Sequence, residues 1–188
     1  ASFEAACGDL YIYGLPVLEM ARARQRTIGS MANQWRHVRR LADASSRRVT
    51  TPNNDTLYSS AWLDLRKGPV ELTYPQVLDR YVSIAILDMF TNNFVVLGPG
   101  QTLGQSGRVR LVAPNERSSG DEIVAPTPWV WAQVRTLVSG PDDLGVAHQI
   151  QDGLRIVGTQ SPPPDPVPPT MVGSSYTNPT GADDGVAD

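Results

Sequence analysis

From Thr56 onward the hydrophobic period of this 188-residue chain falls to two and stays there. Leu57, Ser59, Ala61, Leu63 and Leu65 alternate with Tyr58, Ser60, Trp62 and Asp64, which gives a strand one apolar face and one polar, aromatic face. Further short runs follow at Val70–Tyr74, Tyr81–Phe90, Phe94–Leu97, Arg108–Val112, Glu122–Ala125 and Trp129–Val138. Lys67-Gly68-Pro69, Gly98-Pro99-Gly100 and Asn115–Gly120 separate them as turns. Short strands parted by turns, with no helical period between them, predict an antiparallel sandwich or barrel and argue against a parallel α/β fold. Tyr81–Phe90 is apolar on both parities, so the expectation is a central strand covered on both faces.

Helices are expected only at the ends of this β region. Phe3, Ala6, Leu10, Tyr13, Val17 and Met20 recur at alternating steps of three and four, which predicts helix over residues 2–25. Pro16 interrupts the pattern and predicts a kink or two shorter helices. Within this helix Cys7 reads as a small buried side chain. A short helix is expected around Asn33–Leu41. Gly140-Pro141 followed by Asp142 and Asp143 predicts a second helix, with Leu144, Ala147, Ile150 and Leu154 as its apolar stripe. Residues 161–188 hold seven Pro in 28 positions and little to bury, so a linker or disordered tail is expected. The organisation read from sequence is a helical part over 1–50, a β-sandwich with closing helix over 51–160 that forms one folded unit with it, and the Pro-rich segment.

Charge narrows the function classes. The net charge is −3, but residues 161–188 carry four acids and no base, which leaves 16 basic against 15 acidic residues before them. A body so close to neutral argues against dedicated nucleic-acid binding. Eight arginines lie between Arg22 and Arg48, read as a solvated face or as a patch for an anionic surface. No apolar run reaches the roughly 18 residues of a membrane span, and no signal-peptide pattern is present. One cysteine excludes an internal disulfide. His37 and His148 have no ligand-spaced neighbours, so no metal site is expected. No phosphate-binding glycine loop or serine elbow occurs, and no cofactor is expected.

Three polar clusters remain as candidate sites. Asn53, Asp55, Thr56 and Tyr58 stand at the mouth of the first long strand, either as a self-capping turn or as ligand contacts. Asp88, Thr91, Asn92 and Asn93 form the second. By parity Asp88 shares a face with Ile84 and Ile86, and a buried carboxylate must be paired, hydrogen-bonded or protonated. Arg135 is its candidate partner, or that of Asp55, through a bidentate guanidinium. Were Asp55 and Asp88 to converge, the pair could serve as general acid and base. Trp131, with Trp62 and Trp129, is either core or a stacking platform for a flat ligand.

Five stretches carry a family resemblance: Tyr11-Ile12-Tyr13-Gly14-Leu15-Pro16, Asn33-Gln34-Trp35, Pro52–Leu65, Leu87–Phe94, and Ala125–Trp131 leading to Arg135. In that order they resemble the bacterial domain-of-unknown-function family 1254 over roughly residues 2–157. The resemblance implies an α+β fold with N-terminal helices packed on an antiparallel immunoglobulin-like β-sandwich and one C-terminal helix. It also implies a following partner domain of the family numbered 1214, and periplasmic or secreted localisation. It implies no established activity. Val134 stands where that family usually has Gly before the Arg, and the Pro-rich segment stands where the partner domain would begin. The leading expectation is the N-terminal ligand-binding or domain-docking half of a larger exported protein, with a small molecule or glycan as ligand. The alternative is a hydrolase with an Asp55, Asp88 and Arg135 site completed by a partner domain.

Overall fold

A computed structural model describes residues 2–27, 32–46, 51–98 and 105–159. The expected Pro-rich segment and the turn at Pro99-Gly100 lie outside these residues. Helix α1 (Phe3–Thr27) comes first. Nine strands follow: β1 (Arg36–His37), β2 (Thr56–Asp64), β3 (Val70–Tyr74), β4 (Val82–Leu87), β5 (Asn93–Leu97), β6 (Gly107–Val112), β7 (Ile123–Val124), β8 (Trp129–Leu137) and β9 (Arg155–Val157), with helix α2 (Leu144–Gly153) before the last. They form a five-stranded sheet in the order β1-β2-β8-β4-β5 and a four-stranded sheet in the order β7-β6-β3-β9. All pairings are antiparallel except β6 with β7.

The period-two pattern is what makes two sheets close on each other. Leu63, Ile84, Ile86, Val130, Ala132 and Val134 face inward from the larger sheet, and Val70, Leu72, Val109 and Leu111 from the smaller. Together they form one apolar cluster, and burying such side chains contributes about 1.5–3 kcal/mol each.

Four expectations change. The first helix is single and runs through Pro16. The lost backbone bond is offset by anchoring downstream, where Met20 is buried and the Trp62 Nε1–H donates to Thr27 Oγ1 at 2.8 Å. Cys7 is exposed, as are all the residues of α1 from Phe3 to Tyr13. Residues 36–37 are a strand, not part of a helix: they pair with Ser59 and Ser60 at the sheet edge after Asn33 turns the chain in a left-handed conformation (φ 61°). Strand β4 is flanked on both sides but alternates buried and half-buried, so only one of its faces meets the core.

Gln151 of α2, wholly buried, ties this edge together. Its Nε2 donates to the Val38 and Tyr58 carbonyls and to Ser59 Oγ (3.1–3.2 Å), while its Oε1 accepts from Arg39 at 3.3 Å. Removing it leaves several buried acceptors unpaired, which costs more than the bonds themselves contribute. Gln151→Leu is expected to lower unfolding stability by about 2–4 kcal/mol. Urea denaturation measures this, and a loss below about 1 kcal/mol would show that the edge does not depend on the amide.

Candidate functional site

The outer face of the larger sheet carries the polar parity of its strands. Antiparallel register aligns Arg36, Ser60, Gln133, Ala85 and Val96 in one row, and Tyr58, Arg135 and Ser83 in the next. A third row holds Trp62, Trp131 and Leu87. The two indole rings stack, centroids 5.4 Å apart and 7° from parallel, and Trp131 Nε1–H donates to Ser60 Oγ at 2.7 Å. Arg135 is exposed, with its Cζ 5.6 Å from the Tyr58 ring centroid. Among the described residues it forms no ion pair. The second half of α1 covers the Trp end of this face through Val17, Met20, Ala21 and Ala23. The Tyr58–Arg135 end stays open.

Register also separates the two carboxylates. Leu57, Thr136 and Val82 share a row. Asp55 lies two residues before Leu57 and Asp88 six after Val82, on strands that run the same way. Eight residues at ~3.3 Å each put them about 26 Å apart along the sheet. Asp55, Asp88 and Arg135 therefore do not meet, and a general acid–base pair of the two aspartates is excluded by distance.

Each cluster is instead satisfied locally. Asn53 Oδ1 accepts from the Asp55 and Thr56 amides (2.9 and 3.2 Å), an Asx turn that launches β2. Asp55 is exposed, and its backbone carbonyl accepts from Val138 N at 2.8 Å. The Thr56 hydroxyl is buried without a partner. Asp88, buried, accepts from the Phe90 and Asn92 amides and from Asn92 Nδ2 (2.8–3.1 Å). These bonds over-determine the β4–β5 turn and hold Thr91 at φ 70°, where a β-branched residue is strained. The eight arginines of the basic stretch do not form one face. Arg24 is buried, Arg39 pairs with Asp152, and Arg47 and Arg48 lie outside the described residues.

Sequence reading missed two polar groups. In one, His37 Nδ1 lies 2.8 Å from Ser59 Oγ under Gln151. The nearly inaccessible serine makes this a structural contact rather than a nucleophile and base. In the other, wholly buried Asp64 accepts from Arg66 N, Nε and a terminal nitrogen (2.8–3.1 Å) beside Trp129. The run Asp64-Leu65-Arg66 was the available signal, an acid and a base two residues apart at a strand end. Among the described residues no His, Cys, Asp and Glu side chains cluster to hold a metal ion, and no helix is long and apolar enough to cross a membrane.

A family model described as a protein of unknown function, DUF1254, matches residues 32–158. No curated protein matches the chain. Among solved structures, the VPA0106 protein from Vibrio parahaemolyticus is similar at TM-score 0.67 and 20% identity, over 88% of this chain and 42% of that one. An uncharacterised protein from Burkholderia cenocepacia aligns at TM-score 0.43 and 13% identity, over 72% of this chain and 38% of that one. The chain thus spans less than half the length of either structure.

Burial pushes the His37 imidazole down from 6.5 to about 4, with the Arg39 guanidinium adding to it. The neutral ring belongs to the folded state, whereas the unfolded chain binds a proton near pH 6.5. Stability from this group is therefore whole above pH 6.5 and declines as pH falls toward 4. His37→Gln is expected to flatten the thermal-stability profile between pH 4 and 6.5. An unchanged slope would assign the acid sensitivity elsewhere.

Proposed function

The chain belongs to the DUF1254 family, and from that premise we propose that it is a non-catalytic binding and docking module, the N-terminal half of a larger exported bacterial protein. On this reading the two sheets form an immunoglobulin-like sandwich spanning 51–160, to which the 1–50 segment adds its helix. One observation carries the docking role. Residues 3–13 of α1 are exposed throughout, and Phe3, Leu10, Tyr11, Ile12 and Tyr13 are among them. These eleven helical residues extend about 16 Å, and an isolated helix of that length is marginal in water. At 100° per residue, the run Leu10–Tyr13 puts apolar groups on every side, the pattern of an enclosed helix rather than a surface one.

The occupant we favour is a further domain of the kind a longer chain supplies. Support comes from the Vibrio protein, most of whose length lies outside the matched region. A domain of the 1214 family and delivery to the cell envelope enter from the family resemblance alone. Leu10→Glu and Ile12→Glu, at exposed positions, are expected to change sandwich stability by no more than ~0.5 kcal/mol. Titration with the separately produced remainder of a full-length relative should protect amides 2–13 from hydrogen exchange. Both substitutions should abolish that protection, and unaltered exchange in the wild-type chain would refute docking.

The open end of the sheet supports a second binding role. An exposed arginine over Tyr58, flanked by Ser60 and Gln133, offers a charged fork and an aromatic surface to a small anionic molecule or glycan. Trp131 borders this platform. Asn53, Asp55 and Thr56 lie at its edge, whereas Asp88 and Asn92 lie at the far end of the sheet and are not part of it. Screening acidic and neutral glycans by chemical-shift perturbation should give hits that Arg135→Ala weakens at least tenfold. Hits that survive Arg135→Ala and Tyr58→Ala together would place binding elsewhere.

A further inference from the structure

Among the described residues four strands lie at the edges of the two sheets: β1 and β5 in the larger, β7 and β9 in the smaller. An edge presents unpaired backbone N–H and C=O groups, and proteins protect it by shortness, by charge or by cover. Three of the four follow that rule. Strand β1 is two residues long and contains Arg36, and Gln151 of α2 bonds the Val38 carbonyl just beyond it. Strand β7 is two residues long and follows Glu122 directly, while β9 is three residues long and begins with Arg155.

Strand β5 does not follow it. Asn93-Phe94-Val95-Val96-Leu97 is five residues long and carries no charge. Its one irregularity lies opposite Ile86 and Leu87, and Val95, Val96 and Leu97 pair in register with Ile86, Ala85 and Ile84. The direction of each backbone group follows from the neighbouring ladder. The Leu137 amide donates to the Tyr81 carbonyl at 3.0 Å. Alternation along antiparallel pairs then turns the backbone groups of Ser83 and Ala85 toward β8 and those of Ile84 and Ile86 toward β5. Val95 and Leu97 meet them, so the N–H and C=O of Val96 point to the open side. The Val96 side chain stands on the outer face of the sheet and is 65% exposed.

We propose that β5 is the contact through which two copies of this chain pair, antiparallel about a two-fold axis at Val96, into one continuous ten-stranded sheet. At the axis the two Val96 residues exchange both backbone hydrogen bonds, so each copy supplies the groups the other lacks. Their β-branched side chains then cover each other on the outer face. Charge selects the occupant. Strands β1 and β9 carry arginines and β7 adjoins Glu122, so among the chain's own edges only a second β5 brings no charge to the contact. Five residues make a small interface, and the dimer is accordingly weak and concentration-dependent. The pairing uses no residue of α1 and stands apart from the docking of a further domain.

Sedimentation equilibrium of the full chain over a dilution series tests this. Wild type should show a reversible equilibrium between monomer and dimer. Val96→Pro removes the outward N–H and none of the bonds to β4, and it should weaken the dimer at least tenfold. Val96→Lys and Val96→Glu should each be monomeric where wild type is dimeric. Mixed together they should form a heterodimer, because the two side chains oppose each other only across this axis. That charged pair decides the matter if the proline variant does not fold. Leu10→Glu with Ile12→Glu should leave the dimer intact. A wild-type chain that stays monomeric into the millimolar range overturns the proposal. So does a dimer that survives Val96→Pro, or a Lys and Glu mixture that stays monomeric.

Discussion

The nine-residue ladder between β2 and β8 is the constraint on which the rest of the molecule depends. Thr56 through Asp64 pair with Leu137 through Trp129 without a slip. Because side chains alternate with a period of two, this one register decides which groups face the core and which face outward. It sends Leu57, Ala61 and Leu63 inward with Val130, Ala132 and Val134. It sends Tyr58, Ser60 and Trp62 outward beside Arg135, Gln133 and Trp131. A slip of one residue in β2 would expose Leu63, and one in β8 would bury Arg135.

Buried polar groups then close the fold at its margins. Gln151 ties α2 to the β1–β2 edge. Asn33 Oδ1 accepts from Asp64 N at 2.9 Å, and its Nδ2 donates to the Thr159 carbonyl at 2.6 Å, joining the chain before β1 to the second residue after β9. Asp88 shapes the β4–β5 turn in the same manner. Each is satisfied by backbone groups distant from its own element or by a loop that wraps it, as buried polar atoms require. Among the described residues the exceptions are Arg24 Nε, Trp35 Nε1 and the Thr56 and Thr136 hydroxyls, and of these only Arg24 belongs to a charged group.

Much of the architecture was legible because local chemistry and global packing agree. Alternation from Leu57 to Leu65 and the double turn signals after Lys67 and Asn115 located the long strands. Gly140-Pro141-Asp142-Asp143 located the second helix, which begins after a short 3-10 turn at Pro141–Asp143. What failed was any inference that needed a partner across space. The Asn33–Leu41 stretch reads as helix in isolation but gains more by pairing its backbone with β2. Pro16 marks a break by propensity, yet packing at Met20 carries the helix through it. Nothing local marks Gln151, since no neighbour in sequence reveals that α2 lands on a sheet edge.

By itself the sequence determined the class of the protein: helices at the ends, alternating strands between them, and a self-capping turn at Asn53 that needs only its own neighbours. These features depend on interactions within a few residues, so they are written in the order of side chains. Tertiary structure decided which polar groups share a surface. It set Asp55 and Asp88 at opposite ends of one sheet, because strand direction and register, not residue type, fix that separation. It brought Arg24, Asp64, Arg66 and Trp129 together from α1, the end of β2 and the start of β8, a meeting that no spacing in the chain encodes.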